Sequence, residues 1–371
     1  MADIVPAGQD RPVGLRDVLS GALAAVLDGG GRMRLGRPDR VLVVVVDGLG
    51  AEALAARAGH ARTLASRLTR GSRITTGCPT TTAAALATLA TGEDPGQHGI
   101  VGYAVLEPDR DRVVNQLHGF DDGELPPGWQ RSTTVFERAV AAGVRAFAAG
   151  PRHYADSGFT AAVLRGAEYL GARTVEHRFD AALDAFAGGG RAIGYCYVPE
   201  LDQMAHRDGW SSAAWTDALE AVDAAVAAAA ARLRPGERML VTADHGIVDV
   251  PPEQQVLVDG IPGLLDAVRH LAGEPRMLQL HLQPGASPAR VADRWREALH
   301  RVADVRTRAE AIDAGWFGTV APAVVPRIGD VLVAARSRAA FYDGRDGTGR
   351  GMIGQHGAWT DAERLVPLLA F

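Results

Sequence analysis

Lysine is absent from the 371 residues: all 39 basic side chains are arginine, set against 44 Asp and Glu for a formal charge of −5. Alongside the abundance of Ala and Gly, this arginine-only set reads as a bias of composition rather than a function. No basic block occurs, which excludes bulk attraction to a nucleic-acid backbone or an anionic membrane. Cysteine is scarce, with two in the chain, so a disulfide scaffold is excluded and Cys78 and Cys196 are expected as free thiols in a reducing compartment. Long apolar runs are missing too. The longest, around 221–231, is broken by Asp223 and is too short to span a bilayer. Residues 1–31 carry Asp3, Asp10 and Asp17 and no basic stretch ahead of an apolar one, so no secretory signal is expected. The expected location is the cytoplasm.

What is present is a globular balance, 47% hydrophobic and 22% charged, enough for a large core and incompatible with a disordered chain. Short Val- and Ile-rich runs alternate with Ala-rich stretches of helical period, which predicts an α/β fold. Arg40–Val46 is apolar on both faces and reads as a central parallel strand. Similar strands are expected at 144–149, 191–198 and 238–242, with a shorter one at 73–76. Helices are expected at 51–68, 82–90, 133–142, 179–187 and 212–233. After Pro251-Pro252 the texture changes to a helix over 261–272, a strand over 277–282, a helix over 288–302 and a strand over 330–335. The organisation expected is an N-terminal extension over 1–39, a core from 40–252 and 341–371, and a small inserted α/β subdomain over 253–340.

Ligands of open parallel sheets bind beyond the carboxyl ends of the strands, so polar residues directly after apolar runs carry the information. Asp47 follows Leu42–Val46, Asp202 lies in Val198-Pro-Glu-Leu-Asp-Gln-Met-Ala-His206, and Asp244 follows Met239-Leu-Val-Thr-Ala243. Asp202 and His206, four apart, share a face of a helical turn and can grip one ion, whereas Asp244 and His245 are adjacent and must converge through a turn. His356, in Gly354-Gln-His-Gly357, comes from the far end of the chain. Carboxylate oxygen with neutral imidazole nitrogen suits zinc and is compatible with manganese or iron. Each residue alone has an ordinary role, Asp47 as a turn former and Asp202 with His206 as a helix-surface pair. Their recurrence at successive strand ends is what points to a metal centre. The remaining histidines read as structural or solvent-facing.

In Gly77-Cys-Pro-Thr-Thr-Thr-Ala-Ala-Ala-Leu86 a proline and three threonines lead into a helix. A hydroxyl there is ordinarily an N-cap. Beside metal ligands it becomes an activated nucleophile, its pKa lowered by the cation and the first-turn N–H groups facing the anion it attacks. Composition does not choose among Thr80, Thr81 and Thr82.

The ordered set Asp47-Gly48, Pro79-Thr-Thr-Thr82 with Thr91-Gly92 and His98-Gly-Ile100, Asp202-x-x-x-His206, Asp244-His-Gly246 and His356-Gly357 resembles the type I phosphodiesterase/nucleotide pyrophosphatase branch of the alkaline phosphatase superfamily, from about residue 40 onward. Within that branch the chain looks most like bacterial members that share Gly273-Glu-Pro-Arg276 and Arg327-Ile-Gly-Asp330. The resemblance implies an alkaline phosphatase-like central, mostly parallel sheet flanked by helices, and a two-zinc phosphoester hydrolase, manganese or iron being alternatives. Asp202, His206 and His356 would hold one ion; Asp47, Thr82, Asp244 and His245 would hold the other. Thr82, the third residue after the Pro, would be the nucleophile and form a phospho-threonine. The implied partner is a small-molecule phosphoester, with no nucleic-acid polymer and no membrane.

Several positions depart from that pattern. Nucleotide-cleaving members of the branch carry an Asn three residues after the nucleophile and another just past His-Gly-Ile that binds a phosphoryl oxygen; here Ala85 and Tyr103 stand near those places, and Cys78 replaces the aromatic before the Pro. Tyr103, Asn115 and Arg276 are the side chains that could supply the missing contact, together with backbone N–H groups at 83–85. Cys78 reads as a packing residue. Two divalent cations balance Asp47, Asp202, Asp244 and a Thr82 alkoxide, and a neutral site favours a singly charged diester over a doubly charged monoester, which would call for a bidentate arginine. No arginine falls within the matched motifs, although Arg276 and Arg152 sit where a loop could bring them near. The alternative on the same scaffold is a phosphomonoesterase or a phosphonate hydrolase.

Overall fold

The computed structural model describes residues 12–371 apart from 31, 34, 122 and 346–349. Its strands begin with Arg40–Val46 (β1), Arg73–Thr75 (β2), Ala104–Glu107 (β3), Arg112–Asn115 (β4), Arg145–Pro151 (β5), Glu168–Ala172 (β6), Ala192–Val198 (β7) and Glu237–Thr242 (β8). Every residue of β1 after Arg40 is buried, as it must be in a strand paired on both edges and covered on both faces. It runs parallel to β7 and β8, in register Val46 to Val198 and Val45 to Thr242. The seven-stranded sheet has the order β2, Leu365–Ala370, β8, β1, β7, β5, β6. Leu365–Ala370 is antiparallel to both its neighbours, and the other pairings are parallel. Asp47, Asp202 and Asp244 therefore arrive at one edge of the sheet by way of three adjacent strands.

Two groups of helices flank this sheet. Arg16–Asp28, Thr82–Thr91 and Val135–Ala141 pack on one another, as do Val175–Ala187, Glu200–Asp208 and Ala213–Ala231. The stretch expected to be an extension is built into the core, since Val18, Leu19, Ala22, Leu23 and Val26 join the same apolar cluster as β1; residues 1–11 lie outside the described residues. No helix among the described residues is long and apolar enough to cross a membrane.

A second sheet of six strands has the order Ala303–Thr307, Val331–Ala335, Met277–Leu282, Val268–Glu274, β3, β4, and is antiparallel throughout. Two of its strands come from residues 104–115, so the sheet is not built from 253–340 alone. The helix expected over 261–272 is instead a run of turns leading into Val268–Glu274. Pro262-Gly263 breaks the helical period, with Gly263 at φ 81°, and pairing across a tight hairpin with Met277–Leu282 takes the apolar residues that helical spacing had claimed. The helix expected over 51–68 is two short ones, Ala51–Ala56 and Arg62–Ala65. The Asp223 carboxylate accepts from Thr63 N and Leu64 N and starts the second, as an N-terminal cap from another element does.

Candidate metal centre

Each of the strand-end residues is fixed by backbone before its side chain acts. The Asp47 amide donates to Val198 O at 2.9 Å, and the chain then turns at Gly48, whose φ is 73°. A Cβ on Gly48 would sit 3.1 Å from Asp202 Cβ, so the left-handed turn and the close approach of Asp202 both require glycine. Asp244 Oδ1 accepts from Gly48 N at 3.3 Å and from His245 N at 3.0 Å. Asp202 and His206 lie one turn apart on the helix Glu200–Asp208, with Oδ2 and Nε2 3.2 Å apart.

All three histidines are oriented in the same way. His206 Nδ1 donates to Gly354 O at 2.7 Å, His356 Nδ1 to Thr80 O at 2.8 Å and His245 Nδ1 to Gly246 O at 3.1 Å. A carbonyl only accepts, so each Nδ1 carries a proton, and in the neutral imidazole Nε2 keeps its lone pair for an electrophile. His245 Nε2 is 3.3 Å from Asp47 Oδ1, 3.4 Å from Asp244 Oδ2 and 3.0 Å from Thr82 Oγ1. The His245 and His356 rings stack at 3.7 Å, which places the two groups of donors side by side.

The donors fit metal ions on three grounds. Ligands about 2.0–2.1 Å from a tetrahedral ion lie about 3.3 Å from one another, close to the Asp47, Asp244, Thr82 and His245 separations. Asp47 Oδ1, Asp202 Oδ1 and Asp244 Oδ2 are buried with no hydrogen-bond partner, a costly arrangement unless a cation satisfies them. Burial, then Asp244 and Asp202, pushes the Asp47 carboxyl well above the usual carboxylate range, and burial with Asp202 pushes Asp244 up to about 6. At Asp202 burial acts upward but is outweighed by the hydrogen bond and charge of His206, which hold it below the usual range. Burial lowers His245 to about 4 and His356 to about 3, so both imidazoles are neutral donors near pH 7. Two clusters result, Asp202 with His206 and His356, and Asp47 with Asp244 and His245.

Thr82 is the first residue of the helix Thr82–Thr91, and the Thr81 side chain ahead of it makes no cap. The first-turn N–H groups therefore stay open to an anion. Of the three threonines only Thr82 reaches a ligand cluster. Thr80 is fully buried, donating to Ala358 O and accepting from Gly357 N, and so fastens the segment that carries His356.

Residues 41–359 match the family described as type I phosphodiesterase / nucleotide pyrophosphatase. The chain belongs to this family. Its fold is that of the alkaline phosphatase superfamily. Human ectonucleotide pyrophosphatase/phosphodiesterase 5 superposes with a TM-score of 0.70 at 17% identity, over 89% of this chain and 87% of that one. An inactive murine form of the same protein, in complex with AMP, gives 0.66 at 18% over 89% and 87%. Phosphonoacetate hydrolase from Sinorhizobium meliloti 1021, in complex with phosphonoformate, gives 0.71 at 20% over 93% and 92%. No curated protein matches.

For a type I phosphodiesterase family member, the substrate contacts expected here need revision. Arg276 is 0% exposed, and its guanidinium is paired with both oxygens of Glu363 and bonded to Ala339 O and Ser337 O. It cannot meet a substrate; it ties the hairpin after Glu274 to the segment following His356. Asn115 Oδ1 accepts from Leu117 N and His118 N, closing a turn, so its carbonyl is committed. Tyr103 is 37% exposed, and its amide donates to Glu274 Oε2. Cys78 is buried and free, as a packing residue should be. Tyr197 was not foreseen: from β7 its hydroxyl donates to Asp47 Oδ2. The alternation Tyr195-Cys-Tyr197 at the end of an apolar strand was the available signal, and it reads equally well as core.

Proposed function

We propose that this chain is a two-metal hydrolase of phosphodiesters or phosphoanhydrides, using Thr82 as nucleophile. The observation that carries the reading is the Thr82 hydroxyl 3.0 Å from His245 Nε2, at an uncapped helix start and against donors with unpartnered oxygens. Asp202, His206 and His356 would hold one ion and Asp47, Thr82, Asp244 and His245 the other. Two divalent cations there, zinc for preference and manganese or iron as alternatives, would lower the hydroxyl pKa and neutralise charge on the phosphoryl group. Thr82 Oγ bonds to phosphorus, the ester bond to the leaving alcohol breaks, and that oxygen takes a proton. Water then cleaves the phospho-threonine and restores the hydroxyl. Helix N–H groups at the first turn face the phosphoryl oxygens, standing in for the Asn donors that Ala85 and Tyr103 replace. Tyr197 holds Asp47 in place through its hydrogen bond.

The AMP bound to the murine relative supports a phosphoester substrate, and the phosphonoformate in phosphonoacetate hydrolase keeps phosphonate cleavage as the second reading. Two buried free thiols support a cytoplasmic site of action. A panel of aryl phosphodiester, aryl phosphomonoester and phosphonate tests the function, with protein before and after chelation. The diester should show the highest kcat/KM, lost on chelation and restored by zinc or manganese. A chelator-resistant activity would remove the metal assignment. A monoester preference above about tenfold, about 1.4 kcal/mol in the transition state, would overturn the diester reading alone.

A further inference from the structure

The carboxyl edge of the main sheet carries a second feature that the chemistry above does not use. The ends of β5, β6 and β7 and the start of the helix Glu200–Asp208 border an open surface cavity of about 410 Å³, lined by Arg152, His153, Arg173, Arg178, Glu200 and Gln203 with the neighbouring prolines. It adjoins the candidate metal centre, since Gln203, next to Asp202, is part of its lining. The Tyr154 ring lies 6.2 Å from that of Tyr197, whose hydroxyl donates to Asp47.

Arg178 is 2% exposed and is paired with Glu200 through both terminal nitrogens, which also bond Tyr197 O at 3.1 Å and Arg173 O at 3.2 Å. Its Nε has no partner. That atom is shut off from the open cavity, so Arg178 gives the wall its pair with Glu200 and not a free donor. Glu200 neutralises Arg178, which leaves Arg152 and Arg173 as the uncompensated charges. Among the described residues, neither guanidinium has a hydrogen bond or an ion pair within the protein. Two exposed arginines without a counter-ion, Arg152 and Arg173, thus line one space beside the buried Arg178–Glu200 pair.

We propose that this cavity is an oxyanion subsite that receives a phosphate or carboxylate borne by the far half of the substrate. The neutral metal centre has no charge in reserve for a second anionic group, whereas guanidinium forks match the planar or tetrahedral oxygens of such a group. Placing the anion on the substrate rests on the hydrolase reading; the affinity of the cavity for an oxyanion does not.

Two measurements separate these. The full chain, with and without added zinc, is titrated with inorganic phosphate and with acetate, comparing wild type with an Arg152→Gln/Arg173→Gln double variant. Without zinc the wild type should bind one of the two anions at least about tenfold more tightly than the double variant, and more weakly in high salt. Tighter phosphate assigns a phosphate group and tighter acetate a carboxylate. No binding by the wild type, or equal binding by both proteins, overturns the subsite. With zinc, kcat/KM is compared for bis(4-nitrophenyl) phosphate and for an aryl diester whose second arm ends in phosphate or carboxylate. The ratio favouring the charged arm should fall at least about tenfold in the double variant, through KM. An unchanged ratio overturns the placement of the substrate anion. If the zinc-loaded wild type cleaves neither ester, the hydrolase reading falls while the anion titration still decides the subsite.

Discussion

Among single residues, the three threonines after Pro79 separate chemistry from architecture. Thr82 points its hydroxyl at His245, so Thr82→Ala should leave folding and metal content intact while turnover falls by at least about a thousandfold. Thr80→Ala should do the opposite, leaving Ala358 O and Gly357 N buried without their partner, at a cost of about 1–3 kcal/mol in stability. Thermal melts and turnover on the same preparations check both, and an inert Thr82→Ala substitution would move the nucleophile elsewhere. Arg276→Ala strips a fully buried Glu363 of its partner. It should destabilise by about 3–5 kcal/mol, lowering the melting temperature, whereas a shift in KM with unchanged stability would return Arg276 to the substrate. The candidate donors were legible in the sequence because Asp47 and Asp244 directly follow apolar runs and Asp202 comes four residues after one. Arg276 was not, because Glu363 lies 87 residues away and nothing local marks the pair.

Within elements, periodicity located the central strands but not what interrupts a helix. The stretch 51–68 keeps its Ala-rich pattern through Gly59, and only Asp223, from a distant helix, shows where the second helix starts. Residues 261–272 have helical spacing but find a hairpin partner in Met277–Leu282, and such pairing depends on residues outside any local window. His98, read from the sequence as structural, ends the short helix Pro95–His98. Nδ1 accepts from Ile100 N at 3.1 Å, and Nε2–H donates to the Thr88 hydroxyl at 3.0 Å. Burial, then the Arg327 charge, lowers His98 to about 3. The native state therefore holds fewer protons than the unfolded one between about pH 6.5 and 3, so this contribution is complete above that window and is lost as the pH falls through it. A His98→Gln variant, able to accept and donate but not to titrate, should lose stability less steeply over pH 6.5 to 4, by up to about 1.4 kcal/mol per pH unit. Parallel denaturation curves for the two proteins would remove His98 as a source of acid sensitivity.

For the molecule as a whole, the candidate metal donors span Asp47 to His356 and meet only in the native state. A ligand specific to that state at a hundred times its Kd adds about 2.7 kcal/mol. Zinc should accordingly raise the melting temperature by several degrees, with close to two ions per chain by elemental analysis, and a chelator should reverse the rise. An unchanged melting curve at saturating zinc would argue against both clusters. The α/β class and the parallel centre could be read along the chain. The sharing of β3 and β4 with the second sheet could not, because the pairing of Ala104 with Gly273 joins segments that carry no common local signal.

The strand Leu365–Ala370 lies between β8 and β2, and the segment just before it brings His356 to Asp202. A polypeptide emerging from the ribosome builds its parallel strands in order but leaves the side of β8 open and one cluster a donor short until residues 356–371 are free. Vectorial synthesis therefore delays completion of the Asp202 cluster until His356 has emerged, well after the Asp47 cluster has its donors. A nascent chain that has passed His245 but not His356 holds Asp202 and His206 without their third donor, so that cluster alone would be poorly able to hold an ion.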